Sequence, residues 1–217
     1  MLFGGLGVWQ VQRLQWKTQL IADVEARAHA APFPAPAPGD TNGGVEAYQA
    51  VRAQGGFAHD RETLVQAVTA LGPGYWVVTP LETDRGFTVL VNRGFVPGER
   101  VAGRDWVRPE GLQSVRGLLR VTEPNGGFLR ANDPAGDRWR SRDVAAIAQA
   151  KGVTGPVASY FIDAADDGQG AWPRGGLTVL KFSNSHLVYA LTWFALAGLC
   201  VFGAWRFWRE PLQGARA

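Results

Sequence analysis

The feature that most limits what this chain can become is an uncharged stretch near its C-terminal end. From Phe182 to Trp205 there is no Asp, Glu, Lys or Arg, with Lys181 on one side and Arg206 and Arg209 on the other. A helix of that length covers roughly 30 Å of hydrocarbon. Leu187 to Phe207 is its apolar body, and Asn184, Ser185 and His186 form a polar mouth. Trp193, Trp205 and Trp208 suit a span, because aromatic rings collect toward membrane interfaces. A buried helix of a soluble domain competes with this reading, but core helices seldom run so far without a charge. Residues 182–208 are therefore expected to form a transmembrane helix and 209–217 a tail. Arg206, Arg209 and Arg216 follow the span closely, which makes the tail cytoplasmic on the positive-inside rule and the upstream domain periplasmic. With no Arg- and Ser-rich transit peptide, a bacterial inner (cell) membrane is the simplest location.

Composition narrows the rest. The net charge is +3, and the basic residues are spread out with no run of five, so no nucleic-acid partner is expected. The one cysteine, Cys200, lies inside the span, which excludes an intramolecular disulfide, a CxxC motif and a thiol-based metal site outside the bilayer.

Residues 1–30 are expected to be helical. Trp9, Trp16 and Leu20 share one face, interrupted by Arg13. The apolar start is too short to span a bilayer and lacks the basic region of a signal peptide. It reads either as a surface helix with an apolar end or as the outer end of a first transmembrane span. Residues 31–44 alternate Pro and Ala and end Gly-rich, as a linker would. Residues 45–181 form the periplasmic domain. A strand is expected within Val45 to Asp60, and Ala58 to Leu71 fits either a strand with a turn or a short helix. Tyr75–Leu81 and Phe87–Phe95 are β-branched and aromatic, and the short polar turn between them makes a hairpin. Val115–Val121, Val157–Asp163 and Leu177–Lys181 are further strands, and Phe128–Gly136 is a loop. Asp137–Ala150 is the one internal helix, with Trp139, Val144, Ile147 and Ala148 on its apolar side. The fold class is an α+β membrane protein: a small antiparallel β-rich domain between an N-terminal helix and a C-terminal transmembrane helix.

The residues offer little catalytic chemistry. The three histidines are His29, His59 and His186, and HExxH, GxSxG and P-loop motifs are absent, so an enzyme is not expected. Asp166-Asp167 beside two glycines reads as a solvated turn rather than a calcium loop. Arg93 could clamp an anion, but an Arg near a strand end more often pairs with a local carboxylate. His186 stands apart. Tyr189 and Ala190 lie one turn further along and Trp193 two turns. An imidazole there can ligate haem iron through one ring nitrogen while a neighbour holds the other, and aromatic residues suit a porphyrin face. Equally, His186 can anchor the helix end at the interface beside Asn184.

Four ordered pieces add to this reading. LGVWQVQRLQWK at Leu6–Lys17, PGYWVVTPL at Pro73–Leu81, VLVNRGFVP at Val89–Pro97 and NSHLVYALTWFALA at Asn184–Ala197 resemble the Surfeit locus protein one family. The helix from Trp139 to Gly152 and the FID of Phe161–Asp163 agree as well. The resemblance implies a non-enzymatic assembly factor for cytochrome c oxidase, with two spans flanking one external domain. It tips the reading of Met1–Trp9 toward part of a first span. It implies haem a as a transient cofactor, delivered to the oxidase's large subunit, and other oxidase assembly proteins as partners; self-association into a homo-oligomer stays open. The family's histidine at the head of the second span falls on His186, the metal contact, and its Trp and Gln at the end of the first fall on Trp9 and Gln10. The family often has two Asn before that His, whereas here the pair is Asn184-Ser185. A scaffold that holds the oxidase subunit without a cofactor is the alternative.

Overall fold

A computed structural model describes residues 2–40, 46–127, 130–180 and 182–209. In chain order the elements are helix α1 (Leu2–His29) and strands β1 (Phe33–Pro34), β2 (Ala50–Phe57), β3 (Thr63–Thr69), β4 (Gly72–Thr83), β5 (Thr88–Pro97) and β6 (Leu112–Val121), followed by helix α2 (Val144–Ala150), strand β7 (Val157–Ala164) and helix α3 (His186–Arg209). They fall into two compact units, Met1–Glu25 with Leu180–Ala217 and Ala26–Val179.

The larger unit is built on the expected hairpin. β4 and β5 pair antiparallel from Gly74↔Pro97 to Glu82↔Thr88. The turn closes through Thr83, whose main-chain N–H and hydroxyl both donate to Phe87 O, and Gly86 supplies the positive φ that such a turn needs. The sheet order is β1-β2-β6-β7-β5-β4-β3, and β2 also pairs with β4. Strands β2, β6, β7, β5 and β4 therefore close on themselves, leaving β1 and β3 as flanking pieces; closure removes most free edges. One core fills the inside, where Val51, Leu81, Val89, Val91, Leu119 and Ile162 are fully buried. A second lies outside it, with Leu90 and Phe161 against Trp139, Val144 and Ile147. β5 is thus buried on both faces, which is why VLV runs apolar without alternation.

Three expectations need correction, and one open reading closes on its strand-and-turn alternative. The sheet is not purely antiparallel, because β1–β2 and β5–β7 are parallel pairs. The β5–β7 pair is joined by a long crossover through β6 and α2, as parallel strands require. The undecided stretch before Leu71 resolves into a 3-10 turn (His59–Arg61) and then β3. The internal helix starts at Val144 rather than Asp137. Asp143 caps it by accepting from Ala146 N, while Trp139 bridges Val65 in extended form. Finally, residues 177–180 form no strand. The candidate neighbours are taken: β7 sits between β5 and β6, and Arg174 already exchanges main-chain bonds with Phe95. Lys181 and Phe128–Leu129 lie outside the described residues.

A buried charge cluster holds the segment after β7. Asp163 accepts from Asn92 (2.8 Å), Arg120 (2.8 Å), Arg142 (3.1 Å) and the hydroxyl of Thr178 (3.0 Å). Arg142 also donates through Nη2 to Glu123 at 2.6 Å. Burial works to raise the Glu123 carboxyl, but the hydrogen bonds and charge of Arg142 outweigh it and hold the group below its ordinary value. A depressed folded value means that stability is present above the unfolded value and lost as pH falls through the folded one. Thermal midpoints of wild type and Glu123→Gln should therefore differ at neutral pH and converge below the ordinary carboxylate range. A gap that persists in acid would show that the loss is one of packing.

Candidate functional site

The smaller unit brings the N-terminal part of α1 against α3. Phe3 stacks on Trp193 with ring centroids 5.7 Å apart, and Gln10 meets His186. Asn184 donates to Thr18 at 3.4 Å. Numbers rise on one helix as they fall on the other, so the pair is antiparallel. Phe3, Gly7 and Gln10 follow the i, i+4, i+7 spacing of one helix face, and His186, Ala190 and Trp193 repeat it. Small residues sit in the middle of both sets. Ala190 is buried, and a Cβ on Gly7 would stand 2.5 Å from the Phe194 ring. Glycine here permits the close approach that packed apolar helices use.

His186 Nδ1 lies 2.7 Å from Gln10 Oε1. With the amide oxygen as acceptor, a neutral ring carries its proton on Nδ1 and leaves the Nε2 lone pair available. Nε2 has no hydrogen-bond partner among the described residues. This is the arrangement in which a neighbour fixes the tautomer of a metal-binding imidazole. Gln10 is 9% exposed and His186 half-buried, so the bond is partly shielded from water.

The structure joins two of the five expected site residues, Gln10 and His186. Trp193 lies on the same helix contact through Phe3. Trp9 and Tyr189 are both more than half exposed, and the Trp9, Trp16, Leu20 stripe is exposed throughout. Phe3, Gly7 and Phe194 complete the contact set without standing out in the sequence. The matched spacing on both helices was the available signal.

α3 is long and apolar enough to cross a membrane. Only 6% of its most apolar window is buried, which separates it from a core helix. The hydroxyl of Thr192 donates to Val188 O within the helix, so it needs no outside partner.

The model of the SURF1 family matches residues 1–198, which takes in both helices of the Gln10–His186 contact. The chain belongs to the SURF1 family. It is 37% identical over 213 residues to Surfeit locus protein 1 of Homo sapiens, covering 89% of this chain and 69% of the human protein. Its likeness to Surfeit locus protein 1 of Rattus norvegicus is 36%, over 95% of this chain and 71% of the relative. A SURF1-like protein of Drosophila melanogaster is 33% identical, over 91% of this chain and 71% of its own.

The β domain of this SURF1-family chain carries a second polar centre. Glu62 accepts from Trp106 Nε1 (3.2 Å), Arg108 (3.1 Å), Thr79 (3.2 Å) and Arg93 (3.3 Å). Burial pulls the Arg93 guanidinium below its ordinary value, and the charge of Glu62 opposes that. Arg93 thus pairs with a carboxylate. Asp166 and Asp167 each accept a main-chain N–H two residues on, forming a turn.

Proposed function

We propose that this chain is a membrane-anchored assembly factor for cytochrome c oxidase that handles haem a on its way to the large catalytic subunit. α3 crosses the bacterial inner membrane, with the following residues cytoplasmic and the β domain periplasmic. The supporting observation is the part-buried Gln10–His186 hydrogen bond at 2.7 Å, inside the stretch that matches the SURF1 family. When bound, haem would supply an iron that a nitrogen ligand can hold. His186 would offer Nε2 to it, Gln10 would hold the ring from its other nitrogen, and Trp193 would present an aromatic face nearby. A scaffold that grips the oxidase subunit without a cofactor is the second reading. It is favoured by Val68 and Leu112, apolar residues 86% and 72% exposed on the β domain.

An optical spectrum tests the first reading. The full chain, co-produced with haem a synthesis and purified in detergent, is expected to carry a haem spectrum. His186→Ala should lose it or shift it. Gln10→Leu should keep the ligand and weaken haem affinity roughly 10–100-fold, as loss of an outer-shell partner does. A colourless wild type that still supports oxidase assembly sinks the haem reading and leaves the scaffold. For orientation, Asp167→Cys should react with a membrane-impermeant maleimide in cells whose inner membrane is intact.

A further inference from the structure

β6 extends past the end of its partner. It runs from Leu112 to Val121, yet β7 pairs only with Gly117–Val121. On its other side β2 accompanies it down to Leu112. Alternate residues of an antiparallel strand turn their main-chain groups to opposite sides. Leu119 donates to Gln49 O and accepts from Tyr48 N, both on the β2 side. Arg116 O accepts from Ala165 N on the β7 side, at 2.9 Å. By this alternation, Ser114 and Leu112 present N–H and C=O away from β2, and no strand among the described residues meets them there. Such an edge is a template for another strand.

The open edge borders a cavity of about 600 Å³. That is within the range of ligand-holding clefts. Phe57 and Trp172 contribute apolar lining. Arg116, on the β6 side, makes no ion pair among the described residues. Asp166 and Asp167, on the loop that follows β7, each commit one oxygen to the turn and make no ion pair either. Opposite charges therefore line one groove without reaching each other.

We propose that this groove takes an extended polypeptide segment of a partner protein. The segment adds as a strand to the open edge of β6 at Leu112–Ser114. A carboxylate of the guest faces Arg116 and a cation faces Asp166 and Asp167. Main-chain pairing supplies affinity with little sequence demand, and the charges select among guests. The inference is independent of the haem reading, because every residue in it belongs to the β domain.

The test uses fluorescence polarisation with the full chain in detergent. The probe is a labelled peptide of alternating threonine and valine that carries one glutamate and one lysine. Two further versions are N-methylated on one or the other alternate set of amides. The unmethylated peptide is expected to bind, and one methylated set should bind about tenfold more weakly while the other is spared. Ser114→Pro removes the N–H that faces the groove and no bond to β2, so binding should be lost. Arg116→Glu, at an exposed position, should weaken binding about tenfold with an unchanged thermal midpoint, which keeps the test usable if the proline variant misfolds. No binding at millimolar peptide overturns the proposal. So does binding that ignores both methylation sets, or that Arg116→Glu leaves unchanged.

Discussion

Replacing Glu62 by alanine is expected to lower the unfolding midpoint of the β domain by roughly 6–20 °C. The Glu62 side chain is 1% exposed, and that of Arg93 beside it 7%. Removing one partner of a buried ion pair leaves the other charge uncompensated, at about 3–5 kcal/mol. For a domain of this size each 1 kcal/mol moves the midpoint by roughly 2–4 °C. Three segments lose a common acceptor at once: β4 at Thr79, β5 at Arg93, and the stretch after β5 at Trp106 and Arg108. Glu62→Gln keeps the shape and one acceptor oxygen, so it should fall between alanine and wild type. Thermal denaturation followed by circular dichroism reads both. A midpoint for Glu62→Ala within about 2 °C of wild type, under 1 kcal/mol, would mean that water already satisfies the cluster.

Gly94→Ala should be as damaging by a different route. Gly94 has φ +133°, a backbone state that side chains rarely adopt. A Cβ there would lie 2.3 Å from Arg174 C and O and 2.6 Å from Gly175 N, all main-chain atoms. Rotating a side chain cannot relieve that contact, so the strand or its neighbour must move. What moves is the Phe95–Arg174 bridge, with N–H to O distances of 2.9 and 3.0 Å, and beyond it Thr178 on Asp163. The expected cost is at least about 3 kcal/mol, the strain at φ and the displaced bridge together. Amide exchange at Phe95 and Arg174 should quicken well beyond that of the barrel strands. Protection at those two amides equal to wild type would contradict the geometry.

The two predictions share one local device. Val77 faces Gly94 and Val78 faces Asn92, so Arg93 is the extra residue of a bulge in β5. A bulge re-aims a side chain. Here Arg93 reaches Glu62, while its neighbour Asn92 reaches Asp163. The NRG triplet thus serves two buried carboxylates and one tight backbone crossing.

The absence of charge from Phe182 to Trp205 was enough to place α3, because one helix cannot hide that much apolar surface alone. The β4–β5 hairpin follows from two β-branched runs and a turn, and an Arg near a strand end, as Arg93 is, points to a carboxylate partner. Glu62 was not legible, since in HDRET it looks like part of a solvated run. Nor was the face that α1 turns to α3: the aromatic stripe of Trp9 and Trp16 drew attention from Phe3, Gly7 and Gln10. The four ordered motifs marked the family and the Gln10 and His186 positions, but not that these two side chains meet.

Sequence alone determined the helical N-terminal stretch, the β4–β5 hairpin and the long apolar helix α3, because propensity, periodicity and charge act over a few neighbouring residues. Tertiary structure alone decided the β2–β4 closure, the parallel β5–β7 pair, the unmatched end of β6 and the Gln10–His186 bond across 176 residues. Those depend on which edges and faces find each other over long separations, and local pattern carries no information about that choice.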